Sequence, residues 1–122
     1  MSGVIDLYDI DRPMAEQNAE IGTRLFKRSD VKGNWKFEVS GSLKELLEKK
    51  PEFVIISILP GTFDHMASDV HLPEKYGIYQ SVGDTAGPGG LVRALRTIPI
   101  VCGNRGSIKE YCPETLVINY TN

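Results

Sequence analysis

The chain has 122 residues, 41% of them hydrophobic and 25% charged, the balance of one soluble globular domain and not of a disordered, collagen-like or membrane chain. Fourteen Lys plus Arg against sixteen Asp plus Glu leave a net charge of -2 with no long block of either sign, so there is no basic face to track a nucleic acid backbone. The longest apolar run, residues 53–60, is too short for a bilayer, and MSGVIDLYD has no basic stretch leading into an apolar one, so a cytoplasmic protein is expected.

In chain order, Val4, Ile5, Leu7, Tyr8 and Ile10 form a nearly continuous β-prone run ending in acidic residues, which predicts a first strand buried on both faces. Pro13 suits a first helical position, and Met14, Ile21, Leu25 and Phe26 recur at helical spacing, predicting a helix over 13–27. Residues 30–34 read as a loop and 36–39 as a second strand. Ser42 and Glu45 have capping-box spacing ahead of Leu43, Leu46 and Leu47, so a helix should follow and stop near Lys50, before Pro51. FVIISIL, residues 53–59, is the strongest strand and is expected at the centre of a parallel sheet. Residues 62–90 then run irregularly, with a short helix near 63–68 and a Gly-rich end. Long excursions of this kind after a strand's carboxyl end commonly carry function. A helix over 91–96 and a last strand over 116–119 complete the pattern. Alternating strands and helices require crossover connections, so the class is α/β with a mostly parallel sheet. Cys102 and Cys112 lack metal-ligand or redox spacing and read as free thiols.

The chemistry begins at Leu7-Tyr8-Asp9-Ile10-Asp11. A carboxylate at the end of such a strand can accept hydrogen bonds from the two vicinal hydroxyls of an adenosine ribose, which makes Asp9 the first cofactor-binding candidate and Asp11 the second. Asp11 is equally placed to cap the helix at Pro13. The Gly-x-Gly-x-x-Gly phosphate turn that should precede this strand is absent. Gly87-Pro88-Gly89-Gly90 does not replace it, because it follows an irregular segment and Pro88 removes one backbone donor. It reads equally as a turn ahead of Leu91. The fold class expected is therefore an incomplete Rossmann-like dinucleotide-binding domain over 1–122, with its first strand and Gly-rich turn missing. Strands on either side of that gap would carry open edges that invite aggregation or pairing with another chain.

Ser81 to Pro99, SVGDTAGPGGLVRALRTIP, is the most distinctive segment. With SILPG (57–61), VHLPEKYGIYQ (70–80) and INYTN (118–122) it resembles glycoside hydrolase family 4, in particular its α-galacturonidase branch and then its α-galactosidases. The resemblance runs from Leu7 to Asn122 and marks the chain as an N-terminal fragment. It implies an exception to paired-carboxylate hydrolysis. In this family bound NAD takes hydride from C3, a divalent metal, usually manganese, stabilises the enolate, and a tyrosine removes the C2 proton. Elimination of the aglycone, addition of water and return of the hydride complete the cycle. The C3 ketone acidifies the neighbouring C–H, and the metal's charge stabilises the oxyanion.

By position, Asp84 matches the acidic residue that raises the basicity of the family's tyrosine, and Asn122 the substrate-contacting second Asn of its Asn-Tyr-x-Asn motif. Asn119 is expected to support Asn122 and the cofactor. The resemblance places the metal ligands, the general acid and the tyrosine beyond Asn122, so no metal ligand is assigned here and the chain alone is expected to be inactive. It also implies a small glycoside as substrate and homo-oligomeric assembly for full-length members. Without the motif, Asp84, Asn119 and Asn122 would all read as turn residues.

Two departures from the family pattern matter. His65-Met66-Ala67 stands where phospho-sugar members carry an Arg, which disfavours a 6-phosphoglycoside. His65 and His71 are not at metal positions, and Arg93 and Arg96 remain possible partners for an anion, although helix-surface charges are more often structural. The second departure is Cys102-Gly103-Asn104-Arg105-Gly106-Ser107, where the family has an amphipathic helix. Two glycines cost about 2 kcal/mol relative to alanine in a helix interior. A local shift of reading frame would account for them, since suitable codons read one base over can encode Cys-Ala-Glu-Ile-Ala-Glu-Ala. The nucleotide sequence tests this.

Overall fold

Alternation, not continuous burial, governs strand β1 (Ser2–Leu7). The computed structural model describes residues 2–81 and 86–121. The chain divides into two compact units, Met1–Pro51 and Glu52–Asn122, each a two-stranded parallel sheet with its helices. In the first unit β1 pairs in parallel with β2 (Asn34–Val39), Val4 opposite Lys36 and Asp6 opposite Glu38. That face is polar, and Val4 is 55% exposed. Burial of β1 on both faces is thus corrected. Asp6 interrupts the apolar run on the face it shares with Val4, where its side chain is only 13% exposed. There the Asp6 carboxylate accepts from Lys49 Nζ at 2.5 Å and from Ser40 Oγ at 2.7 Å. The hydrogen bond to Asp6 raises the Lys49 ammonium above its ordinary range.

Helix α1 (Arg12–Phe26) packs on β2. Phe26 meets Trp35 edge-on at 6.4 Å and Phe37 at 5.3 Å, spacings at which aromatic pairs add to area burial. Gly22 permits the close approach: a Cβ there would lie 2.5 Å from the Phe37 ring. Helix α2 (Leu43–Glu48) starts as the capping spacing predicts, with Ser42 Oγ accepting from Glu45 N–H at 3.1 Å. The return bond goes one residue further back than in a standard box, from Gly41 N–H to Glu45 Oε2 at 2.8 Å. Ser42→Ala should cost about 1 kcal/mol, read as a lower urea midpoint at unchanged slope.

In the second unit β3 (Phe53–Ile56) pairs in parallel with β4 (Leu116–Asn119), Phe53 opposite Leu116 and Ile56 opposite Asn119. Two expectations change here. The strand stops at Ile56, not at 59, and it is not central: among the described residues it has one strand neighbour, and Phe53 and Ile55 are exposed while Val54 and Ile56 are buried. It leaves the ladder because Ile58 N–H turns to the Thr121 hydroxyl at 3.2 Å. Helix α3 (Phe63–His71) is longer than predicted and runs into a short 3-10 turn, Pro73–Tyr76, closed by Gly77 at φ 74°.

Helix α4 (Gly87–Tyr111) is the largest departure from the sequence reading. It begins at the Gly-rich segment itself and continues through Pro99, Gly103 and Gly106 without interruption. Pro99 forgoes one intrahelical bond. The glycines weaken a helix through chain entropy and do not forbid its geometry, so neighbouring turns carry the element through them. A Cβ added at Gly103 or Gly106 would meet nothing within 4 Å. Gly103→Ala and Gly106→Ala should therefore each stabilise the chain by about 0.5–1 kcal/mol, measured by urea unfolding.

Candidate functional site

In the first unit the predicted ribose carboxylates lie just past the end of β1, and the backbone separates their roles. Asp11 is the N-cap of α1: its Oδ1 accepts from Met14 N–H at 3.2 Å and its carbonyl from Ala15 N–H at 3.1 Å. Asp9 Oδ1 accepts from Asp11 N–H at 2.8 Å, which orients an otherwise exposed carboxylate at the strand end. Helix capping thus occupies Asp11 and leaves Asp9 the freer acceptor.

In the second unit the functional segments meet at the carboxyl ends of β3 and β4, where ligands of open parallel sheets bind. Asn119 Oδ1 accepts from Thr121 N–H at 3.2 Å, an Asx turn that bends the chain after β4. Tyr120 N–H donates to Ile56 O at 2.7 Å, and Thr121 Oγ1 lies between Ile58 N–H and Ile56 O, at 3.2 and 3.5 Å. Residues 119–121 are thereby stitched to the SILPG segment. Asp84 and Asn122 lie outside the described residues.

The Gly-rich segment serves a helix start. Ala86, the N-cap, has no side-chain acceptor, and Gln80 supplies one: Gly89 N–H donates to its Oε1 at 3.0 Å, while its Nε2 donates to Ala86 O at 3.1 Å. Gly87 sits at φ 75°, and a Cβ there would come within 2.2 Å of the Gln80 amide. The positive φ calls for glycine, and a side chain there would also displace the capping amide of Gln80.

Charge binds α3 to α4. Asp69, 2% exposed, accepts both guanidinium nitrogens of Arg96, one at 2.9 Å and the other closer. This pairing holds the Arg96 guanidinium above its ordinary range. Arg96 Nε is buried without a hydrogen-bond partner and packs 3.3 Å from where a Gly61 Cβ would stand. Arg93 is also buried, at 7% exposure, so neither arginine is a solvated helix-surface charge. His65 caps α3, its Nδ1 accepting from Thr62 N–H at 3.1 Å, and His71 pairs with Glu74 at 3.0 Å. Among the described residues no three His, Cys, Asp or Glu side chains form a group that could hold a metal. Both cysteines are free, and among the described residues no helix is long and apolar enough to cross a membrane.

Sequence reasoning missed Gln80, Asp69 and Thr121. Asp69 gave a usable signal, because it falls three residues after Met66 and one before Val70 on the inward side of α3, where a carboxylate must find a partner. Gln80 gave none, since its acceptor role depends on a chain reversal.

Parallel strands joined through helices, with loops gathered at the strands' carboxyl ends, define an α/β protein of the Rossmann type. The chain belongs to the family 4 glycosyl hydrolases, whose family model matches residues 1–122. It is 62% identical over 122 residues to the alpha-galacturonidase of Thermoanaerobacterium saccharolyticum, covering 100% of this chain and 26% of that enzyme. It is 50% identical to the alpha-galacturonidase of Bacillus subtilis, again covering 100% and 26%. Among solved structures, it matches the 6-phospho-beta glucosidase of Thermotoga maritima, determined with manganese, NAD+ and glucose-6-phosphate. That match has a TM-score of 0.82 and 26% identity, and covers 98% of this chain and 27% of that one. The chain thus spans roughly a quarter of the length of these relatives.

Proposed function

We propose that this chain is part of the NAD-binding domain of a cytoplasmic, homo-oligomeric α-galacturonidase that acts on a small glycoside, and that the chain alone is inactive. The observation that carries this reading is the 62% identity to an alpha-galacturonidase across all 122 residues. Similarity to the Bacillus subtilis alpha-galactosidase is confined to 54 residues, which favours the uronide reading over a neutral galactoside. His65-Met66-Ala67, in the region where phospho-sugar members carry an arginine, fits a substrate without phosphate.

NAD supplies reversible hydride transfer in such an enzyme, making the sugar C–H next to the oxidised carbon acidic enough to remove. The fit to this chain is partial. Asp9 offers an exposed, oriented carboxylate at a strand end, suited to a ribose diol. Asp11 is a second contact through whatever acceptor capacity its capping role leaves. Asn119 turns the chain at Thr121, whose hydroxyl meets Ile56 and Ile58 after β3; Asn119 is assigned to supporting the cofactor and Asn122 to contacting substrate. Asp84 is assigned to raising the basicity of a tyrosine outside this chain. Manganese is assigned no ligand among these residues: the family resemblance puts its ligands, the general acid and the tyrosine beyond Asn122, and for that reason no turnover is expected.

The chain incubated with p-nitrophenyl α-galacturonide, NAD, Mn2+ and a reductant should release no nitrophenol, and release would overturn the inactive reading. Millimolar NAD should raise the unfolding temperature, by the linkage of binding to folding, and Asp9→Ala should abolish the rise. An unchanged melting temperature in the parent chain would remove the dinucleotide role.

A further inference from the structure

Just past the paired residues of β3 and β4, a side chain stands where a continued sheet would use backbone. Leu116 N–H donates to Glu52 O at 3.1 Å and Tyr120 N–H to Ile56 O at 2.7 Å. The evenly spaced bonds of a parallel pair would next bring Ile58 N–H to the carbonyl of Tyr120. It goes to Thr121 Oγ1 at 3.2 Å, and the same hydroxyl donates, at a long 3.5 Å, to Ile56 O. A hydroxyl fills both places because it accepts and donates at once. The half-buried Thr121 side chain is thereby anchored to the end of β3, and its backbone leaves the line of β4.

The N–H of Thr121, released from the sheet, turns back on Asn119 and donates to Asn119 Oδ1 at 3.2 Å. A backbone N–H is met only by the oxygen of a side-chain amide, so this bond settles which end of the Asn119 amide is which. The oxygen is occupied within the turn, and Nδ2 keeps both protons to give. Among the described residues no acceptor is bonded to that nitrogen. Asn119 is exposed at the strand end where ligands of open parallel sheets bind.

We propose that Thr121 is a positioning residue, whose hydroxyl and N–H together lock the Asn119 side chain so that its Nδ2 donates to a hydroxyl or carbonyl oxygen of the bound dinucleotide. The choice of ligand rests on the NAD reading; the locking of Asn119 does not. Nuclear magnetic resonance on the isotopically labelled chain tests both. Three-bond couplings should report one χ1 rotamer for Asn119 in the parent and in Thr121→Ser, which keeps the hydroxyl. Thr121→Val keeps the volume but frees Ile58 N–H to take the Tyr120 carbonyl, which draws residue 121 away from Asn119, and the Asn119 rotamer should average. NAD should shift the Asn119 side-chain amide signals of the parent, bind Thr121→Ser alike, and bind Thr121→Val about tenfold more weakly. Asn119→Asp keeps an acceptor for Thr121 N–H and loses the donor, so its melting temperature without ligand should match the parent's while its NAD affinity falls about tenfold or more. An Asn119 rotamer unaffected by Thr121→Val, a Thr121→Ser chain that behaves as Thr121→Val does, or an Asn119→Asp chain that binds NAD as the parent does would each overturn the proposal. Asn119 signals that NAD leaves unmoved in the parent, with the rotamer pattern as expected, would overturn the dinucleotide reading and leave the lock supported.

Discussion

Asp69→Ala should destabilise the chain by about 3 kcal/mol, near the low end for breaking a buried ion pair, because the Arg96 side chain left behind keeps 25% exposure. Arg96→Ala should cost more, about 3–5 kcal/mol, since it strands a carboxylate that is only 2% exposed. The asymmetry follows from desolvation: an unpaired charge costs more the less water it can recover. Arg96→Lys should recover little, because one ammonium cannot reproduce two parallel bonds to both Asp69 oxygens. The double variant Asp69→Leu with Arg96→Met removes both charges, keeps similar volume, and should lie within about 1 kcal/mol of the parent. Urea unfolding of the parent, Asp69→Ala, Arg96→Ala and the Asp69→Ala/Arg96→Ala double forms a double-mutant cycle, and additive single costs would show that the pair is not coupled.

Leu47→Ala should cost about 2–5 kcal/mol, the range for truncating a fully buried leucine and leaving a cavity. Leu47 is 0% exposed and is the one large apolar side chain fully buried among the described residues of the first unit, whereas Val4, Met14, Ile21 and Leu25 are about half-exposed and Phe26, Trp35 and Phe37 only partly covered. With so little apolar burial elsewhere, this one side chain should carry a large share of the unit's stability. Thermal or urea unfolding of Leu47→Ala measures the effect, and a loss below 1 kcal/mol, small for a buried leucine, would mean that α2 contributes little to the core.

Much of the secondary structure was legible because its signals are local. Ser42 with Glu45 announced the start of α2, Asp11 with Pro13 the start of α1, and the β-branched run at 53–56 marked β3. What proved illegible was decided by partners far along the chain. The run at 53–59 promised seven strand residues, yet the Thr121 hydroxyl takes the Ile58 N–H and ends the ladder early. Gly103 and Gly106 promised a break, yet the helix persists. The candidate site divides in the same way. Asp9 could be named from its place at a strand end and Asn119 from its motif, whereas Gln80, and the partner that Asp69 finds, became visible only once α4 was in place.

The order of residues alone established the α/β class, the parallel pairing implied by crossover helices, and membership of the glycosidase family, because periodicity and motif spacing are properties of neighbours in the chain. The tertiary structure alone decided that Arg96 is held by Asp69 and that the Gly-rich segment starts a helix capped by Gln80. Each of these depends on which donor reaches an acceptor first, and for the long-range pairs that is settled only when distant segments pack together.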